Sequence, residues 1–88
     1  MRVADTIERK LRAALSPTGL TITDESHLHQ GHAGHRPGGE SHFRVKVEAA
    51  AFAGQGGVAR QRMVYRILAD ELAGPVHALA LEARAPGE

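Results

Sequence analysis

Four of the six histidines of this 88-residue chain, His27, His29, His32 and His35, fall within nine positions. Neutral imidazole nitrogens bind zinc, iron or copper at about 2 Å, so a histidine cluster in a Gly-rich segment is a candidate metal site. The chain has no cysteine, which removes disulfides, thiolate nucleophiles and Cys-ligated clusters held by this chain alone. A closed structural zinc site needs four convergent ligands, and the spacing His-x-His-x-x-His-x-x-His matches none of the standard arrangements. A solvated loop whose histidines do nothing specific is the competing reading. A further histidine, His77, stands beside Leu79 and Leu81 at the start of an apolar stretch. Such a residue is ordinarily a hydrogen-bonded core histidine. At a sheet end, however, one ring nitrogen could face the long loop while the other is oriented by a backbone carbonyl, as ligating histidines require.

The other constellations say less. Gly54-Gln55-Gly56-Gly57-Val58-Ala59 spells G-x-G-x-x-A, but a dinucleotide site also needs a doubly wound parallel sheet, which 88 residues with one crossover cannot build. Arg60, Arg62 and Arg66 lie in the first half of a helical stretch, where the helix dipole disfavours each cation by a few tenths to about 1 kcal/mol. They read either as a solvated face, with relief for Arg66 from Asp70 or Glu71, or as a face that recognises anions. Ser26 and Ser41 have histidines nearby in sequence, but no nucleophile elbow or oxyanion hole accompanies them. No enzymatic activity is expected.

The elements that must position these residues follow from periodicity. Ala4, Ile7, Leu11, Ala14 and Leu15 recur at helix spacing, with Asp5 and Glu8 early and Ser16-Pro17 and Gly19 as the stop. Leu20, Ile22 and Asp24 alternate with Thr21 and Thr23 as a strand. From Ser26 to Gly39 the pattern breaks into a long loop. Phe43, Val45 and Val47 then alternate with His42, Arg44, Lys46 and Glu48, which predicts a second strand paired with the first as a long-looped hairpin. Val58, Met63, Val64, Ile67, Leu68 and Leu72 trace one amphipathic helix closed by Gly74-Pro75, and Val76 to Ala83 forms a third strand with His77, Leu79 and Leu81 on one face. The strand-helix-strand run predicts a parallel crossover, hence a mixed three-stranded sheet covered on one face by helices, an α+β two-layer domain spanning residues 1–88. At this size about 60–65% of the unfolded surface can be buried, so one small core is expected. Net charge +1 implies no bulk attraction to nucleic acid or membrane. No signal peptide or membrane span is visible, and the expected location is cytoplasmic.

Asp24-Glu25-Ser26, Gly39-Glu40-Ser41-His42-Phe43-Arg44-Val45, Phe52-Ala53-Gly54, Val58 with Arg60-Gln61-Arg62-Met63-Val64-Tyr65, Leu68-Ala69-Asp70-Glu71-Leu72 and Val76-His77-Ala78-Leu79-Ala80-Leu81 occur in that order. Together these blocks resemble the BolA proteins over nearly the whole chain. The resemblance implies a class II KH-like fold, helix-strand-strand-helix-strand, with a short helical turn near residues 49–53. It also implies pairing with a monothiol glutaredoxin and a [2Fe-2S] cluster shared with that partner and its glutathione, in iron-sulfur trafficking or iron regulation. The free protein would then be a monomer and the complex a heterodimer. Some bacterial members are DNA-binding regulators of shape and stress response, so transcription regulation through the KH-like surface is the second reading. The family's C-terminal cluster ligand falls on His77. Its loop ligand falls on His29, counting three from Ser26, with His32 as the substitute. The resemblance assigns Arg60, Arg62 and Arg66 to the partner or nucleic-acid face. Many members carry Arg-His-Arg where this chain has Arg60-Gln61-Arg62. Mixed nitrogen and sulfur ligation raises a cluster's potential, as in Rieske centres. Metal uptake by the loop alone, a third reading, predicts binding that survives His77→Ala.

Overall fold

The computed structural model describes residues 2–26 and 41–88; His27, His29, His32 and His35, with the rest of the segment 27–40, lie outside the described residues. Helix α1 (Val3–Leu15) buries Ile7 and Leu11, one turn apart on the same face, with Val3, Ala4 and Leu15 packed around them. It ends where Ser16 turns left-handed (φ 45°) and its N–H donates to Arg12 O at 3.1 Å, with Pro17 blocking continuation. Strand β1 (Gly19–Asp24) pairs antiparallel with β2 (His42–Glu48), Ile22 opposite Val45. β2 pairs parallel with β3 (Ala78–Arg84), His42 opposite Ala78. The result is a mixed three-stranded sheet in the order β1-β2-β3, as the alternation of the second strand and the crossover pattern predict.

Directly paired residues share a face of the pleat, so Phe43, Val45 and Val47 lie in register with Leu79, Leu81 and Ala83 on the helix side. There they join Ile7, Leu11, Phe52, Val64, Leu68 and Val76 in one core. The opposite face carries Thr21, Thr23, Arg44, Lys46 and Glu82. Between β2 and the next helix a 3-10 turn (Ala50–Phe52) drops Phe52 into the core, and Gly54 at φ 77° reverses the chain in a conformation that a side chain resists.

Two boundaries differ from the sequence reading. The single helix expected from Val58 to Leu72 is two, α2 (Gly57–Ile67) and α3 (Ala69–Ala73), parted at Leu68 (φ −102°, ψ 22°). The hydrogen bonds Leu68 N–H to Val64 O and Leu72 N–H to Leu68 O, both 3.0 Å, persist through the bend. The i, i+4 pattern of Val64, Leu68 and Leu72 therefore reads as one helix. The third strand begins at Ala78 and not at Val76, because the Val76 N–H is spent on Glu71 O at 2.9 Å before the chain reaches the sheet. No helix among the described residues is long and apolar enough to cross a membrane.

Candidate functional site

The segment 27–40 leaves and rejoins the described fold at two serines that touch. Ser26 is 2% exposed and Ser41 fully buried. The Ser26 hydroxyl oxygen accepts from the backbone N–H groups of Ser41 (3.0 Å) and His42 (3.2 Å), and the two hydroxyl oxygens are 3.3 Å apart. Asp24 Oδ1 accepts from the Ser26 N–H at 2.9 Å, an Asx-type turn that ends β1, and His42 O accepts from the Glu25 N–H at 2.7 Å. Buried backbone groups at a chain crossing must be paired, and these serines satisfy them with side-chain oxygens. The serines thus form a clasp at one end of the sheet.

The same clasp receives His77. Ser41 O accepts from the N–H of His77 at 2.7 Å and from that of Ala78 at 3.2 Å. The His77 backbone is thereby fixed one residue before β3 while its side chain is exposed. Its ring lies against that of His42, centroids 5.3 Å apart and planes tilted by 53°. This corrects the expectation that His77 shares a face with Leu79 and Leu81. His77 precedes the ladder, so the alternation of the pleat does not reach it, and its ring meets His42 on the other face.

His42 is the residue that sequence reasoning missed. Its alternation with Arg44 and Lys46 is right about the face and wrong about the environment: only 4% of His42 is exposed, and its Nδ1 is 2.9 Å from Ser41 Oγ. A cleft of about 260 Å3 beside it is lined by Glu25, His42, Arg44, Ala78 and Ala80, with Arg44 Nε held by Glu25 Oε2 at 2.9 Å. The signal available in sequence was the pair of serines flanking the loop, weighed only as nucleophiles.

His29 and His32 lie outside the described residues. Among the described residues no three His, Asp or Glu side chains converge as a metal site. The described part of the site is the pair His42 and His77 at the clasp.

The three arginines separate. Arg60 Nε donates to Gln55 O at 2.8 Å, Nη1 donates to Ala83 O at 3.0 Å and to Glu88 Oε1 at 2.7 Å, and Nη2 pairs with Glu88 Oε2. Its guanidinium also sits 6.0 Å above the Phe52 ring. Arg60 therefore stands near the positive end of α2 because it ties α2, β3 and the C-terminal turn together. Arg62 and Arg66 are exposed. Relief of Arg66 by Asp70 or Glu71 is not what forms: both acids turn to Lys10 of α1, whose Nζ is 2.9 Å from Glu71 and 3.6 Å from Asp70. A groove of about 340 Å3 between α2 and β3 is lined by Arg60, Gln61, Tyr65, Leu79 and Leu81. Within its lining, Tyr65 donates its hydroxyl to Leu79 O at 3.0 Å.

Comparison with known proteins follows this architecture. A family model described as BolA-like protein matches residues 11–88. The chain is 49% identical to human BolA-like protein 1 over 93% of its own length, and spans 57% of the length of that relative. It is 46% identical to the DNA-binding transcriptional regulator BolA of Escherichia coli strain K12, covering 92% of this chain and 73% of that protein. Among solved structures, the BolA domain of SufE1 from Arabidopsis thaliana superposes with a TM-score of 0.84 at 38% identity, covering 94% of this chain and 91% of that domain. On the family match, the identities and the structural likeness, the chain belongs to the BolA-like family.

Proposed function

We propose that this protein pairs with a monothiol glutaredoxin and holds with it a bridging [2Fe-2S] cluster, in iron-sulfur trafficking or iron regulation. His77 supplies one imidazole and His29, or His32 in its place, supplies the second. The observation that carries the reading is the clasp: Ser26 and Ser41, the two ends of the histidine-rich segment, are hydrogen-bonded to each other, and Ser41 is bonded to the backbone of His77. His29 is three residues from Ser26, a span of at most about 11 Å, and both His32 and His35 are within chain reach of the same point. The donor set fits such a group. With no cysteine the chain offers imidazoles and carboxylates but no thiolate, so sulfur ligation falls to the partner's thiol and its glutathione. This chain's residues bind and orient: Ser41 fixes the His77 backbone, and the exposed ring of His77 is open to a docked partner.

The test is co-purification with a monothiol glutaredoxin, read by visible circular dichroism. The wild type gives the signature of a mixed-ligand cluster, His77→Ala abolishes it, and one of His29→Ala and His32→Ala does so while the other does not. A wild-type complex whose spectrum His77→Ala leaves unchanged contradicts the assignment.

A second reading, duplex DNA, is favoured by the regulator from Escherichia coli among the relatives and by the exposure of Arg62 and Arg66 on α2. Against it, net charge +1 gives no bulk attraction to phosphates and Arg60 is held by Glu88, so Lys46, Arg62 and Arg66 would have to carry the contact. Negligible affinity near physiological salt excludes this reading; a steep fall of affinity with salt supports it.

A further inference from the structure

We infer that His42 is a positioning residue for His77: held by Ser41, its buried ring fixes the rotamer in which the His77 imidazole is presented at the sheet end. The inference rests on the reading of His77 as a ligand and adds a residue to it.

His42 projects from the sheet face that otherwise bears Arg44, Lys46 and Glu82, and among the described residues no helix packs on that face. A polar titratable ring that is 4% exposed there calls for a reason, since a Thr or Lys would satisfy the alternation without desolvation. The surroundings supply one. Nδ1 of His42 is in hydrogen-bond contact with Ser41 Oγ, Ser41 belongs to the clasp through Ser26, and the opposite side of the assembly is the His77 ring at 5.3 Å. One unbroken series of contacts runs Ser26, Ser41, His42, His77. The His77 backbone is fixed independently by Ser41 O, so the remaining freedom of His77 is rotation about its side-chain bonds. His42 is the ring that side chain meets. Neighbours of this kind set the direction in which an imidazole offers its lone pair, the function that outer-shell partners perform at metal sites. A merely space-filling residue would need neither the nitrogen nor the serine.

The experiment uses the full chain without partner, labelled with 15N-histidine, and reads the His77 side-chain rotamer population and ring-nitrogen shifts. In the wild type one rotamer dominates, at about nine-tenths; in His42→Ala the leading rotamer falls to about one half, the averaging expected of an unrestrained exposed side chain. Ser41→Ala, which leaves both rings in place, shifts the same signals, and this effect disappears when His42→Ala is already present, the coupling that defines a series of contacts. His42→Phe keeps the bulk but not the nitrogen and restores the population only in part. Unchanged His77 signals in His42→Ala, or a Ser41→Ala effect that persists undiminished in the double variant, overturn the inference. If His42→Ala does not fold, His42→Phe and Ser41→Ala decide it by the same signals. The readout involves no cluster. A wild type that orders His77 yet forms no cluster with glutaredoxin therefore refutes the proposed function and leaves the positioning role standing.

Discussion

At the residue scale, side chains near the site do one of two jobs, and burial separates them. His77 is exposed with its backbone tied down, while His42 and the two serines are buried and tied to one another. Away from the clasp, half-buried Arg60 is likewise tied down. Its bond to the Glu88 carboxylate, followed by the Ala85 N–H, holds that carboxyl at about 2 against an ordinary 4.5. A depressed acid stabilises the fold above its unfolded pKa and ceases to do so as pH falls through the folded one, so this contact is lost between about 4.5 and 2. Carbonyl 13C titration of Glu88 should give a midpoint of about 2 that returns towards 4.5 in Arg60→Ala. A wild-type midpoint already near 4.5 shows that the contact does not form in solution. Sequence alone singles out His77 as a candidate, through its place at the beginning of an expected apolar strand and through family resemblance. It could not reveal that His42 is buried, because alternation gives the face a side chain takes and not what packs over it.

At the element scale two of the left-handed residues, Ser16 and Gly54, make opposite demands. Ser16 ends α1 at φ 45°, a conformation that costs an L-residue about 1 kcal/mol and glycine almost nothing. Ser16→Gly should raise unfolding free energy by about 0.5–1 kcal/mol in urea titration, less the entropy that glycine adds to the unfolded chain. Gly54 at φ 77° is the converse: a Cβ there meets nothing within 4 Å, so Gly54→Ala should cost about 1 kcal/mol from backbone strain alone. Stabilisation by Gly54→Ala would mean that the turn adopts another conformation. Elements with uniform periodicity, α1 and β2, were legible to within a residue or two. The bend at Leu68 was not, because its i, i+4 hydrogen bonds survive and with them the spacing of Val64, Leu68 and Leu72. The start of β3 was misplaced for a related reason: Val76 and His77 are extended enough to look like strand but hydrogen-bond to Glu71 and Ser41, outside the ladder.

For the whole molecule, one small core joins the helices to a single face of the sheet. Phe52 is fully buried, and removing its ring costs about 3–5 kcal/mol, comparable with the whole stability of a domain this small. Phe52→Ala should therefore be largely unfolded at room temperature by near-UV and far-UV dichroism, and Phe52→Leu folded. A well-folded Phe52→Ala would show that the 3-10 turn is dispensable. The Lys10–Glu71 pair joins α1 to α3 at the core's rim, and the Glu71 bond raises the Lys10 pKa. That contribution is present below the ordinary Lys value of 10.5 and is lost only at higher pH. The α+β architecture and strand order were readable because alternation in β2 and helical spacing before β3 leave few ways to bury both. The clasp was not, since two serines separated by fourteen residues carry no periodic signal. It is nevertheless the feature that brings Ser26 and Ser41, the described residues on either side of that segment, to the His77 backbone. The most direct measurement is pulsed electron paramagnetic resonance of the reduced complex, with 15N-histidine in this chain and unlabelled monothiol glutaredoxin. Two inequivalent 15N couplings to the cluster, one of them missing in His77→Ala, are the predicted result. A reduced cluster with no coupling to any histidine nitrogen of this chain would contradict the account.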